Sequence, residues 1–384
     1  MQNLLPFATD RQKEYINAVI EHGSGGKAAK ALGVAKSVIN SAIASLKNRA
    51  AKQGYSPEHG MTRTVPDGFT ASRVSTNYKE DGSIGQQWVI ATPDKERQDE
   101  IRNALLRTFC DDFRGLAPIT KAPKQTYSDL LAVYPLGDPH FGMYSWAQEC
   151  GDDFDTEEAK RLTCGAVDRL VESAPPAETA ILVSLGDTFH ADDQKNVTPG
   201  HGHQLDVDSR YPRVMDIVIK TFRHAAIRML ERHNRLIIRI EPGNHDPHSK
   251  WALTYALAAY FENEPRVTVD VSPANRWFYK FGKVLIGTTH GDKIKQSALL
   301  GVMAVDKAED WGATSFRYWY TGHIHHQQVL ELSGVVCESF RTLASKDAYA
   351  SSNGYRAGRD MCCIVHHANY GEIERHRCDV AMLA

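Results

Sequence analysis

Long apolar runs are missing from this 384-residue chain. None approaches the roughly 18 residues that a membrane-spanning helix needs, so a soluble protein is expected. Met1 to Asp10 carries neither a basic region nor a long apolar stretch with a small-residue cleavage site, which argues against secretion and for a cytoplasmic location. Cysteine is sparse: Cys110, Cys150, Cys164, Cys337, Cys362, Cys363 and Cys378 are scattered, odd in number and free of C-x-x-C spacing. A disulfide framework or a zinc ribbon is therefore not indicated, and reduced, mostly buried thiols are expected. No G-x-x-x-x-G-K-[ST] phosphate loop occurs, so an ATP motor would have to come from another chain. Charge of one sign is also lacking overall, with a formal net charge of -2. The balance is uneven, however: residues 1–60 hold eight Lys/Arg against four Asp/Glu, or +4, which allows a local basic surface.

Length exceeds the size at which one core usually stops growing, so more than one domain is expected. Three helices are predicted first, over Asp10–His22, Gly26–Leu32 and Lys36 to about Ala51. In the join between the last two, Ala28, Ala29 and Ala31 permit close helix approach, Gly33 suits a positive-φ turn, and Val34 and Ile39 can plug the angle. This resembles a DNA-binding helix-turn-helix. The resemblance implies that Lys36, Ser37, Asn40 and Ser41 face a major groove, with Lys47, Arg49 and Lys52 near phosphates. A three-helix bundle used for protein contacts is the plainer alternative. Residues 53–69 read as a linker, and Thr70–Asn77 with Gln86–Ala91 as a hairpin around Asp81-Gly82. A helix is predicted from Asp94 to about Phe113. The resulting division is a helical domain at 1–55, a linker region with hairpin and helix at 56–126, and a catalytic domain at 127–384.

From Tyr127 onward apolar runs alternate with helical patterns. Strands are predicted at Leu130–Leu136, Ala180–Leu185, Leu236–Ile240, Val284–Thr288 and Phe316–Tyr320, and helices at Thr156–Ser173, Arg213–His233 and Trp251–Asn263. Alternation of this kind indicates an α/β sandwich. Each strand ends in a polar cluster: Gly137-Asp138-Pro139-His140, Gly186-Asp187-Thr188-Phe189-His190, Gly243-Asn244-His245-Asp246, His290-Gly291-Asp292 and Gly322-His323-Ile324-His325. Loops at strand carboxyl ends lie along one edge of a sheet, where all five can converge on a cleft. One Asp or His after a strand is usually a cap or a hydrogen-bonded core residue. Five such clusters in order are a different matter.

The blocks D-x-H, G-D, G-N-H-D, H and G-H-x-H stand in the order found in the calcineurin-like metallophosphoesterases, which the chain resembles from Asp138 to His325. The resemblance implies a β-sandwich flanked by helices and two divalent cations. Asp138, His140, Asp187 and His325 would hold one; Asp187, Asn244, His290 and His323 would hold the other. A shared carboxylate agrees with the physics, because two close cations acidify a bridging water whose hydroxide can attack phosphorus in line. His245, beside a ligand but not one, is assigned to transition-state stabilisation or protonation of the leaving oxygen, with Asp246 orienting it and His190 near the scissile phosphate. Support of the ligands is the plainer role for all three. Oxygen and imidazole donors without thiolate suit Mn²⁺, Fe, Zn²⁺ or Mg²⁺, and Mn²⁺ is favoured by resemblance.

Protein phosphatases of that superfamily carry G-D-x-x-D-R-G and G-N-H-E, from which this chain departs at both blocks. The His at position 190 is similar to the second block of SbcD-type DNA exonucleases, and stretches such as 204–208 and 354–360 resemble phage- and prophage-encoded phosphoesterases. DNA therefore becomes the expected partner, with a bacterial or phage-infected cell as the setting; an ATPase in another chain and a homo-oligomer are compatible additions. A phosphatase or small-molecule phosphodiesterase, and a DNA-binding protein with a silent metal fold, stand as alternatives. The stretch 191–212 reads either as a mobile loop over the site or as a surface insertion, and Arg341, Lys346, Arg356 and Arg359 either hold a phosphate backbone or are paired.

Overall fold

The computed structural model describes residues 1–66, 69–94 and 113–384. Two compact units are present, Met1–Leu106 and Arg107–Ala384. The predicted helix at Asp94–Phe113 lies almost wholly outside the described residues, as does Cys110. Among the described residues no helix is long and apolar enough to cross a membrane, and the six described cysteines are free, all but Cys164 buried.

In the first unit, α1 (Asp10–His22) starts at Thr9, whose side chain and that of Gln12 each cap the other's backbone N–H, and stops at left-handed Gly23. Helix α2 (Gly25–Ala31) is capped by Ser24. Gly33 takes φ 64° in the turn, and α3 (Lys36–Lys52) follows. Ile39 is fully buried among Tyr15, Ala18, Ala28 and Ala29, with Val34 packed against them. The small alanines leave room for one large aliphatic wedge, and burying a side chain of that size contributes roughly 1.5–3 kcal/mol. A short pair, β1 (Tyr55–Ser56) and β2 (Met61–Thr62), precedes the antiparallel hairpin β3 (Phe69–Tyr78) and β4 (Ile84–Pro93). Its turn is fixed by Asp81 Oδ1, which accepts from Ser83 N at 2.9 Å, and by Gly82 at φ 80°.

The second unit is a two-sheet sandwich. Its strands are β5 (Tyr127–Leu136), β6 (Ala177–Ser184), β7 (Arg235–Ile240), β8 (Val267–Val269), β9 (Trp277–Phe281), β10 (Val284–Thr288), β11 (Phe316–Thr321), β12 (Gln328–Leu332), β13 (Val335–Ser339), β14 (Asp360–His367) and β15 (Gly371–Asp379). The first sheet has the order β15-β14-β5-β6-β7-β8 and the second β12-β13-β11-β10-β9. Helices α4 (Thr156–Ser173), α5 (Tyr211–Arg232) and α6 (Ser249–Tyr260) connect the parallel run β5 to β8. Helix α7 (Gln296–Asp306) covers the outer face of the second sheet through Leu299 and Met303, which meet Leu285 and Trp319. Val133, Ile181, Val183, Val284, Ile286 and Tyr320 fill the space between the sheets. The order of strands and polar clusters in the sequence predicts all five clusters along one sheet edge. They lie instead on two: β5, β6 and β7 belong to the first sheet, β10 and β11 to the second. Apolar runs reveal burial on both faces but not which strand pairs with which.

One buried group far from those clusters predicts a pH dependence. His233 ends α5, fully buried, with Nδ1–H donating to Ala177 O (3.0 Å) and Nε2 accepting from the Tyr134 hydroxyl (2.8 Å). Burial pushes its pKa down to about 4. An unfolded histidine takes up a proton near 6.5, whereas the folded one resists until about 4, so stability is lost as pH falls through that window. His233 should account for up to about 3 kcal/mol of the decline. Urea unfolding of wild type and His233→Gln between pH 7 and 4.5 checks this: the variant should show the shallower slope, and equal slopes would refute it.

Candidate metal centre

Register brings the strand ends level. Leu136 pairs with Ser184 and Ser184 with Ile240 in the first sheet, while Thr288 pairs with Tyr320 in the second. The five clusters therefore leave their strands at one end of the sandwich. Among the described residues, six non-glycine residues adopt positive φ, and five of them are Asp138, His140, Asp187, His323 and His325. Left-handed backbone is disfavoured for residues with a Cβ and persists where surrounding structure enforces it. Here it turns side chains inward from loops that would otherwise run on past the sheet.

Among the described residues three groups of donor atoms result, each with its ligand atoms within 4.8 Å of one another; two of them, Asp138/His140/His325 and Asp187/His290/His323, include a carboxylate. His290 Nδ1–H donates to Leu185 O at 2.8 Å, which leaves Nε2 facing Asn244 Oδ1 (2.9 Å) and Asp187 Oδ2 (3.3 Å). His325 Nε2 lies 3.1 Å from His140 Nε2 and 3.6 Å from Asp138 Oδ1. Both Asp138 oxygens accept from His323 N, at 2.9 and 3.0 Å. Asp187 Oδ1 accepts from His245 N at 2.8 Å. Asp138, His140, Asp187, His190 and His290 form a buried floor, whereas Asn244, His245 and His325 are half-buried and His323 is exposed. The cluster is thus open on one side.

As side chains alone these groups are badly balanced. Burial, opposed by His290 and reinforced by Asp187, pushes Asp138 up to about 8; burial and then Asp187 push Asp246 up to about 7. Asp187 is also buried, but the charge and hydrogen bond of His290 outweigh that and hold it ionised. His290 in turn, despite burial, is raised to about 10 by Asp187. Burial lowers His190 to about 3 and His325 to about 4, and holds His140 and His323 down as well. Neutral imidazoles are the form in which histidine ligates a divalent cation, and Asp138 and His290, the two ligands held protonated, would each surrender a proton to one. The donor set, all oxygen and imidazole nitrogen, fits two divalent cations and selects no single metal.

The other expected site residues fall as follows. His245 Nδ1–H donates to His190 O at 2.8 Å, so the ring is oriented by that carbonyl and its Nε2 is left unassigned. Asp246 does not orient it. Asp246 Oδ1 accepts from Gly243 N (2.9 Å) and Oδ2 from Phe189 N (3.1 Å), so this carboxyl ties the second and third clusters together. The sequence gives no hint of this, because neither donor is a side chain. His190 stacks on His245 with centroids 5.3 Å apart and sits 3.2 Å, Nδ1 to Nδ1, from His140. Lys36, Ser37, Asn40, Ser41 and Lys47 are exposed on α3, in the first unit; Lys47 pairs with Glu58, and Arg49 donates to Phe7 O and Gln12 Oε1 within that unit. Arg341 is held by Asp360, Arg359 by Leu343 O and Asp152, and Arg356 by Ser351 O and Tyr355 O; Lys346 is half-buried. The stretch 191–212 is tied at one end by Asp192, which caps α6 through Ser249 N (2.7 Å), and at the other by Asp208 N to Gly142 O (3.1 Å). Thr342 was missed altogether. Its hydroxyl donates to Asp138 O at 2.6 Å across 204 residues, a contact that only the fold creates.

No family model and no curated protein matches the chain. Among solved structures it is similar to a Streptococcus pneumoniae protein described as a predicted phosphoesterase (10% identity, 66% of this chain and 99% of that one, TM-score 0.28). It is similar also to an archaeal phosphodiesterase (13%, 65% and 99%, TM-score 0.32) and to a dimetal phosphatase from Danio rerio (7%, 65% and 98%, TM-score 0.35). At these values similarity carries no part of the assignment; the residues carry it.

Proposed function

We propose that the chain is a dinuclear-metal phosphoesterase of the calcineurin-like type that hydrolyses DNA phosphodiesters, with the helical unit as its DNA dock. The observation that carries the catalytic half is the convergence of Asp138, His140, Asp187, Asn244, His290, His323 and His325, five of them in left-handed backbone, on one open cluster. Bound there, divalent cations would supply Lewis acidity toward phosphate oxygens and an acidified water. Asp187 belongs to the second group, and on this reading its carboxylate is also shared with the first. His245 is fixed through Nδ1, so Nε2 is its working nitrogen, placed to give a proton to the leaving oxygen or to stabilise charge growing on it. Stacking on His190, which burial keeps neutral, holds the ring without adding a competing charge.

Charge supports the DNA half. No acidic residue occurs between Glu21 and Glu58, a stretch that carries Lys27, Lys30, Lys36, Lys47, Arg49 and Lys52. Arg49 is used internally, which leaves the exposed lysines and the polar start of α3, Ser37, Asn40 and Ser41, as the contacting set. Such a face suits phosphates first and base edges second.

The test is hydrolysis of labelled duplex, single-stranded DNA and bis-p-nitrophenyl phosphate with Mn²⁺, Mg²⁺, Zn²⁺ or EDTA. Metal-dependent DNA cleavage is expected. Turnover of the small ester with DNA left intact would replace this reading by a small-molecule phosphodiesterase. In parallel, Lys36→Glu should weaken duplex binding and reduce the slope of log affinity against log salt by about one. An unchanged slope would remove α3 from the interface.

A further inference from the structure

Beneath the third cluster lies a buried ionic network that the chemistry above does not use. Arg239 and Glu241 are fully buried and Lys250 is 1% exposed. Arg239 Nη2 donates to Glu241 Oε2 at 2.9 Å, and Nη1 to Asp270 Oδ1 (2.8 Å) and Ser272 O (2.9 Å). Glu241 Oε1 accepts a hydrogen bond from the Thr288 hydroxyl. Lys250 sits over the Trp251 ring and points its Nζ at Ile240 O, 3.4 Å away.

The position of the network within the fold gives it meaning. Glu241 follows the last residue of β7 in the first sheet, and its N–H donates to Ser184 O of the neighbouring β6. Thr288 is the last residue of β10 in the second sheet. Their hydrogen bond therefore crosses between the two sheets at the end where the ligands emerge. Asn244 lies three residues after Glu241 and His290 two residues after Thr288, and their ligand atoms stand 2.9 Å apart. Desolvating Arg239, Glu241 and Lys250 together is a poor route to stability, since burial of ions can cost more than their pairing returns. It is a good route to fixed geometry, because a carboxylate gripped by an immobile guanidinium has little freedom left. In the other group Asp138 has a brace of its own in Thr342, whose hydroxyl donates to its carbonyl.

We infer that Glu241, clamped by Arg239, is a positioning residue that through Thr288 sets the distance between Asn244 and His290, so that one of the two cation sites depends on it and the other does not. This inference rests on the metal-centre reading above. Outer partners of metal ligands typically account for 10–100-fold in affinity, and that is the size expected here.

The experiment is titration of Mn²⁺ into metal-free full-length protein by calorimetry, for wild type, Thr288→Val, Thr288→Ala and Thr288→Ser, with Asn244→Ala marking which equivalent belongs to the Asn244/His290 site. Circular dichroism melts verify folding; alanine serves where the valine variant does not fold, because it cannot overfill the strand end. Wild type should take up two ions. Thr288→Val and Thr288→Ala should bind the Asn244-dependent ion about 10–100-fold more weakly and the other as before, with Thr288→Ser restoring much of the loss. Two ions in wild type with both affinities unchanged in Thr288→Val and Thr288→Ala would overturn the positioning role alone. Equal weakening of both ions would overturn it too, as general loosening of the fold. Fewer than two ions in wild type would overturn the metal-centre reading and this inference together.

Discussion

Gly243→Ala is expected to abolish tight cation uptake and to cut phosphodiester hydrolysis about 100-fold or more while leaving the sandwich folded. A Cβ at position 243 would stand 2.0 Å from Asp187 Oδ1 and 2.2 Å from Asp187 N. Neither atom can yield as a flexible side-chain tip would, because Asp187 has its Oδ1 bonded to His245 N and its backbone held in a left-handed turn at φ 46°. The two loops must therefore separate, and the Asp187 carboxylate moves with them. A displacement near 1 Å at reacting groups can cost on the order of 100-fold in rate. The strain falls at the loop tips beyond β6 and β7, so the buried contacts of Ile181, Val183 and Leu236 are untouched. Calorimetric Mn²⁺ titration, hydrolysis rates and a melting curve on the same preparation test this. Wild-type uptake in a folded variant would show that Asp187 is not the shared ligand.

The same glycine shows why the site was readable in the sequence. Loops that pack a carboxylate against a neighbouring backbone must hold glycine at the contact, and a cation needs acids and imidazoles beyond strand ends. Both demands leave residue types in fixed places, as at Gly243-Asn244 and at Gly322, where a Cβ would meet Asp138 Oδ2 at 2.4 Å. Strands were equally legible, because runs buried on both faces are almost wholly apolar; β10 lies at Val284–Thr288 as expected, and α4 spans Thr156–Ser173 as expected. What stayed hidden depends on partners distant in sequence. Glu241 reads as an ordinary polar residue at a strand end, and nothing local marks it as buried between Arg239 and Thr288. Arg49 reads as a free cation on a basic helix until Phe7 and Gln12 are found beside it. For Arg341 and Arg359 the sequence leaves a phosphate contact and an internal pairing both open, until the fold supplies Asp360 and Leu343 O. Which strands share a sheet stays hidden for the same reason: periodicity reports the environment of a residue, not the identity of its neighbours.

His245→Gln should separate holding metal from using it. His140, His190 and His245 also place ligand atoms within 4.8 Å of one another, so a third, all-imidazole cation site is a rival account of His245. Electrostatics favours the catalytic role. The groups containing Asp138 and Asp187 offer a dication a carboxylate, while the imidazole trio offers none and shares His140 with the first group. Nδ1 of His245 is committed to His190 O, and glutamine can reproduce that donor while lacking a nitrogen that titrates. Cation uptake should therefore remain at two equivalents, with kcat falling about 10²- to 10⁴-fold, the usual range for a positioned proton donor. The loss should also depend on the leaving group. A nitrophenolate leaves without much help, whereas the alkoxide of a DNA sugar needs its proton, so DNA cleavage should suffer more than bis-p-nitrophenyl phosphate hydrolysis. Equal losses on both substrates would assign His245 to charge stabilisation on phosphate oxygens instead. Loss of one cation equivalent would make it a ligand and end the proton-donor reading.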